Sequence, residues 1–446
     1  MTRIRAAVLT IVMGASALSA LGASAQECAP PDPPALRFHT PVFIDQHRGG
    51  GEPVSVVADD GAILVAAHTG DTHLYLRTLP EAEWAAQYRN QSFVWRSTDT
   101  GKTWQRIEWL APGTAMHSPA TAIGPADPDF AKDSAGNLYE TELEWNVPVA
   151  VSRDNGVTWP EVNPIADVGD RPWIVARGPN EVYLRVTGSF QKSTDAGATW
   201  ESRTDPPAYG DLWVDPTDPQ GLFAPLRNGV GVAVSRDDGQ SWQSHSIPGA
   251  SNRAALQSIA VDAEGWAYAG YAHSDNKMYF SSWNPATEAW AAPLEIPKVA
   301  GGTPMWPWVD AGDAGRAAVG WYQYTPVPGQ SGTYEMRVYV AVTTNARGST
   351  HECEDGTVVE VPPRFSVADA ADRPIHVGQI PCSGTGCNAT GDRRLGDFFT
   401  INHDSDGRVF VATGDTTLTN IGDFQYQVSR PLFMIAEADS PRLTAP

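Results

Sequence analysis

One eight-residue pattern recurs along the chain and restricts its fold more than any other feature. Four segments align without a gap: Ser97–Trp104 (STDTGKTW), Ser152–Trp159 (SRDNGVTW), Ser193–Trp200 (STDAGATW) and Ser235–Trp242 (SRDDGQSW). They share the form S-x-D-x-G-x-[TS]-W, and the last three begin 41 and 42 residues apart. Two looser copies follow, at Ser282–Trp290 and Thr344–Thr350. The chemistry of the pattern is that of a hairpin turn. Asp accepts backbone N–H groups, Gly adopts a conformation that other residues resist, hydroxyls bond across the turn, and Trp packs its broad face beside the next sheet. A period near 40 residues indicates an array of stacked supersecondary units.

A second repeated feature counts those units. An apolar strand, a polar Gly-containing turn and a second strand open near Glu52, Asp127, Asp170, Asp211, Leu256, Met305 and Gly396. That gives seven units, or six if one is decoration. Long insertions are expected near 70–95 and 345–395. The expected fold is an all-β propeller of four-stranded blades, with seven blades favoured over six. The segment Arg37–Asp45 could add the outermost strand of the last blade, and closing the ring removes exposed sheet edges. The best helix candidate is short, Leu79–Tyr88.

Residues 1–25 read as a secretory leader. Arg3 and Arg5 precede a small, apolar run, and Ala23-Ser-Ala25 fits the cleavage rule. The remainder, 26–446, is expected to be one domain in a secreted or periplasmic protein. The chain carries 31 Lys+Arg against 52 Asp+Glu, a net charge of −21, and loss of the leader makes it two units more negative. So acidic a surface excludes nucleic acid and anionic lipid as natural partners. No later segment is apolar enough to span a bilayer. Four cysteines permit three disulfide pairings. One of them joins Cys382 to Cys387 and Cys28 to Cys353.

The four repeats resemble Asp-box (BNR) repeats of sialidases and many other secreted β-propellers. The resemblance covers nearly all of the mature chain. It implies that the box joins the third and fourth strands of each blade, on the face opposite the active site. The sialidase apparatus does not carry over. No Arg-Ile-Pro occurs in the mature chain, and no Arg or Tyr matches a sialidase motif.

In a propeller, the residues opening strand one and closing strand two converge at the channel mouth. The openings supply Glu52, Asp127, Asp170 with Arg171, Asp211, Trp306 and Asp397. The strand-two ends supply His68, His73, Glu140 to Glu144, Arg185, Arg227, His273, Tyr322 with Tyr324, and Asp415. Crowded carboxyls push each other's pKa apart, so one can donate a proton while another stays ionised. Glu52 and Asp170 are therefore the candidate acid and base, with Arg171 as anchor and Tyr322 as nucleophile or stacking residue. His68 and His376 are alternative proton carriers. Asp127, Trp306, Tyr324, Arg394 and Asp397 are expected to line the substrate side.

Neither a cofactor nor a metal is expected. Asn402-x-Asp404-x-Asp406-Gly407 lacks the closing Glu of a calcium loop, and His68-x4-His73 is not a zinc-helix spacing. The expectation is a monomeric glycoside hydrolase acting on an extracellular glycan or glycoconjugate. A polysaccharide lyase and a non-catalytic glycan- or protein-binding propeller are the rivals.

Overall fold

The computed structural model describes residues 28–68, 92–107, 126–143, 147–164, 169–254, 256–298, 301–383, 391–418 and 429–445. The leader, the helix candidate, His73, Glu144 and Cys387 lie outside them. The fold is a seven-bladed β-propeller of four-stranded antiparallel blades, with no helix among the described residues. Inner strands open at Gly51–Val57, Ala126–Lys132, Trp173–Ala176, Trp213–Val214, Ile259–Val261, Thr303–Ala311 and Thr400–His403.

The ring closes as the N-terminal segment suggested. Val42–Phe43 pairs with Arg430–Ile435 as the outermost strand of the seventh blade, Val42 opposite Phe433 and Phe43 opposite Leu432. Blade six departs from the pattern. Its strands Ala317–Pro326 and Tyr334–Thr343 are ten residues each, and the hairpin Ser349–Glu352/Val358–Val361 is inserted before its fourth strand. Cys28 is disulfide-bonded to Cys353 beside that hairpin, and Cys382 is also disulfide-bonded. The described residues contain no helix long and apolar enough to cross a membrane.

All four repeated segments fold into one turn. The Ser hydroxyl bonds the first Asp oxygen at 2.7–2.9 Å, and the Gly N–H donates back to that hydroxyl at 2.8–2.9 Å. The following Thr or Ser N–H and hydroxyl donate to the two Asp oxygens. Each Gly has φ between 77° and 89°. A side chain there would also collide with the preceding blade: Phe433 at Gly101, Leu64 at Gly156 and Phe190 at Gly239. The glycines thus set the spacing between blades as well as the turn. In the last degenerate copy, Thr343 and Asn345 occupy the Ser and Asp places.

Candidate active site at the central channel

Four inner strands begin with a residue followed by Pro: Glu52-Pro53, Asp127-Pro128, Arg171-Pro172 and Trp306-Pro307. Each leading residue has positive φ, at 49°, 48°, 61° and 50° respectively. Ladder register shifts at Gly51/Val54, Ala126/Asp129 and Met305/Trp308 accompany three of them. Bulges of this kind re-aim a side chain, and strained left-handed residues of this kind concentrate at functional sites. Here they turn four side chains toward the axis.

The result is a buried charged cluster. Glu52, Asp127, Arg171, Arg393 and Asp397 are each at most 8% exposed. Arg171 Nη2 lies 2.5 Å from Asp397 Oδ2, and Arg393 Nη2 lies 3.1 Å from Asp397 Oδ1. The Asp397 N–H donates to Glu52 Oε1 at 2.7 Å. Glu52 Oε2 is 3.7 Å from His68 Nε2. Arg171 Nε donates to the Tyr209 hydroxyl at 3.1 Å and sits 3.7 Å from Asp170. The Asp170 side chain is 60% exposed and carries the cluster out to solvent.

Protonation divides the carboxyls. Burial, then the charges of Asp127 and Asp397, raise the Glu52 pKa well above its ordinary value. Burial also works against ionised Asp127, but the hydrogen bond from Glu52 and the Arg171 charge outweigh it and hold its pKa low. Asp170 is raised by burial and by Asp127. A proton on Glu52 shared toward Asp127 thus accompanies an ionised Asp127. Glu52, His68 and Asp127 bring three ligand atoms within 4.8 Å of one another, a spacing that could hold a metal ion. Arg171 already balances their charge, with Arg393 3.9 Å from Glu52.

The remaining candidates lie elsewhere. Tyr322 is fully buried, its hydroxyl 2.6 Å from Thr413 and its ring packed on Phe399 and Trp306. Burial raises its pKa. Tyr324 meets Tyr334 edge-on. His376 is buried with both ring nitrogens engaged, by Thr416 and the Gln379 carbonyl, each at 2.8 Å. Burial lowers its pKa. Arg394 forms a fork on Asp392 beside it. These two belong to the edge of blade six, where His376–Gly378 pairs with Tyr334–Met336.

Tyr209 was not foreseen. Its ring lies beneath two guanidiniums, Arg171 at 5.3 Å and Arg227 at 5.4 Å. The blade-four register places it where blades one to three present Glu52, Asp127 and Arg171, and puts Asp211 two residues deeper. No Pro follows Tyr209, so the X-Pro signal that marks its neighbours is missing. Just below the cluster, Trp173, Trp308 and Phe398 pack with centroids 5.3–5.9 Å apart and close the channel.

No protein-family model matches the chain, and no curated protein matches it. Solved structures align with it at low identity. The WD40 repeats of RRP9 align with 12% identity over 90% of this chain and 99% of theirs, at a TM-score of 0.48. A protein of unknown function from Dyadobacter fermentans aligns with 13% identity over 91% and 99%, at 0.45. The NanB sialidase of Streptococcus pneumoniae aligns with 13% identity over 92% of this chain and 71% of its own, at 0.40.

Proposed function

We propose that the protein is an exported Asp-box propeller that hydrolyses a glycosidic bond in an extracellular glycan, using the Glu52–Asp127–Asp170 carboxyls. The observation that carries this reading is the division of protonation among three adjacent carboxyls, one of which reaches solvent. Asp170 meets the substrate and donates the proton, and Glu52 replenishes it through Asp127. Arg171 anchors the sugar. Its Nη1 is buried and meets no acceptor within the protein, leaving N–H groups for a ligand oxygen. The Cys28–Cys353 disulfide is compatible with an oxidising compartment.

A second reading, a glycan-binding propeller without catalysis, draws support from the ring plug of Trp173, Trp308 and Phe398. The oxygens of Glu52 and Asp127 lie within 4.8 Å, closer than the roughly 5 to 9 Å that separates the two carboxyls of most glycosidases. Asp170 must therefore be one of the working pair. A glycan-panel release assay with Glu52→Gln and Asp170→Asn separates the readings. Hydrolysis requires release by the wild type and a loss of at least about 100-fold in Asp170→Asn. Glycan binding without release in any of the three proteins establishes the second reading.

A further inference from the structure

Beneath the ring plug the channel reopens as a cavity of about 220 Å³. Its lining runs from Asp129 to Lys132 and from Ile174 to Ala176, the deeper part of those inner strands toward the face that carries the repeated turns. It is separate from the charged cluster. Two carboxyls face into it, Asp129 from blade two and Asp211 from blade four, with the indoles of Trp213 and Trp308 and the ring of Phe130.

Both carboxyls have partial structural duties. Asp129 accepts the N–H groups of Phe130 and Ile174 at 2.9 and 2.8 Å, tying blade two to blade three. Asp211 Oδ2 accepts the Trp213 indole N–H at 3.0 Å. Asp211 Oδ1 is different. It is buried and makes no hydrogen bond of good geometry, although the Ile259 N–H approaches the carboxyl. An unsatisfied buried acceptor costs about 1–3 kcal/mol. The lining cation, Lys132, is drawn away by Asp59 at 2.9 Å.

We propose that this cavity is a second binding site, for a small organic cation bearing a primary ammonium group. An ammonium supplies several N–H donors, enough for Asp211 Oδ1 and for the second lone pairs of Asp129. The Trp213 and Trp308 rings stabilise the same charge through their π faces. Apolar walls formed by Val54, Leu212 and Ile401 suit an alkyl chain and disfavour a hydrated inorganic ion, which needs oxygen on most sides. Burial, then the charge of Asp129, raises the Asp211 pKa well above its ordinary value, and a cation beside the carboxyl favours its ionised form.

The test uses the full chain and n-butylammonium chloride, with 1-butanol as the neutral counterpart and potassium chloride as the inorganic one. Tryptophan fluorescence and calorimetry should show saturable binding of butylammonium only. Asp211→Asn should weaken it by about tenfold or more, and Glu52→Gln, in the separate cluster, should leave it unchanged. Equal binding of butanol would reduce the site to an apolar hollow and overturn the proposal. So would equal binding of potassium, an absence of saturable binding, or full affinity in Asp211→Asn. If that variant does not fold, the comparison of butylammonium with butanol on the wild type still decides.

Discussion

Arg171 and Asp397 are 226 residues apart in sequence and 2.5 Å apart in space, joining the opening of blade three to that of blade seven across the axis. Their side chains are 8% and 3% exposed. Breaking a buried pair by removing one partner leaves the other charge uncompensated and costs about 3–5 kcal/mol. Arg171→Leu should therefore lower the urea midpoint strongly. Asp397→Asn should cost less, because Asn can still accept from Arg171 and Arg393. A double variant close to the worse single one would show that the two act as a unit. Purely additive losses would deny the coupling.

The repeated turns predict the opposite profile, a stability loss without loss of function. Asp154 accepts from the Ser152 hydroxyl, the Thr158 N–H and the Thr158 hydroxyl. Those bonds, chiefly the Thr158 hydroxyl bond once the opposing effect of burial is set aside, hold its pKa low. Asp154→Ala should cost about 1–2 kcal/mol in chemical denaturation, and Asp237→Ala in the equivalent turn should cost a similar amount. Neither should alter glycan release or butylammonium affinity. A change in either readout would place these turns in the binding machinery.

The architecture was readable because it is periodic. Four turns with the same Ser, Asp and Gly chemistry disclosed the array, and the paired-strand openings disclosed seven units. The site was only partly readable, because convergence in a ring is not a sequence property. Glu52, His68, Asp127, Asp170, Arg171 and Asp397 meet, as the strand-end argument required. His376 and Arg394 do not enter the cluster: the first is held by the Thr416 hydroxyl and the Gln379 carbonyl, the second by Asp392, although their neighbour Arg393 does reach Asp397. Tyr209 escaped because blade four begins two residues earlier than its Asp211 suggested. Its first hairpin is also longer, running from Val214 to Leu222 where blade one runs from Val57 to Ile63.

Asp129 makes the pH dependence of stability testable. Burial pushes its carboxyl up to about 7, against an ordinary 3.8. Between those values the folded chain holds a proton that the unfolded chain has released. Folding takes up protons in that window, so stability falls as pH rises from about 4 to 7 and levels off above it. The loss from this group is at most about 4 kcal/mol. Glu142, raised by burial to about 8, contributes with the same sign. Asp129→Asn should flatten the lower part of the decline and gain on the wild type at pH 8. Parallel pH profiles for the two proteins would deny the shift.

Ring closure gives the last prediction. The N-terminal segment is held in two independent ways. Val42 and Phe43 pair with Phe433 and Leu432. Upstream, Cys28 is bonded to Cys353, and Arg364 donates to the Pro30 and Pro31 carbonyls and pairs with Asp32. The disulfide closes a loop of 325 residues in the unfolded chain; the entropic account sets a ceiling of about 6 kcal/mol, and Cys28→Ser should cost about 2–5 kcal/mol. It should not open the ring, because the strand pairing and the buried Ile44 remain. Removing residues 28–45 is a different lesion. It strips the outer edge of Arg430–Ile435 and leaves blade seven three-stranded. Hydrogen exchange across that strand discriminates between the two. The amide of Phe433, which faces the closing strand as the Pro431 and Ile435 carbonyls do, should stay protected in Cys28→Ser under conditions where it is folded, and lose protection in the truncation. Protection that survives the truncation would show that the seventh blade stands without its closing strand.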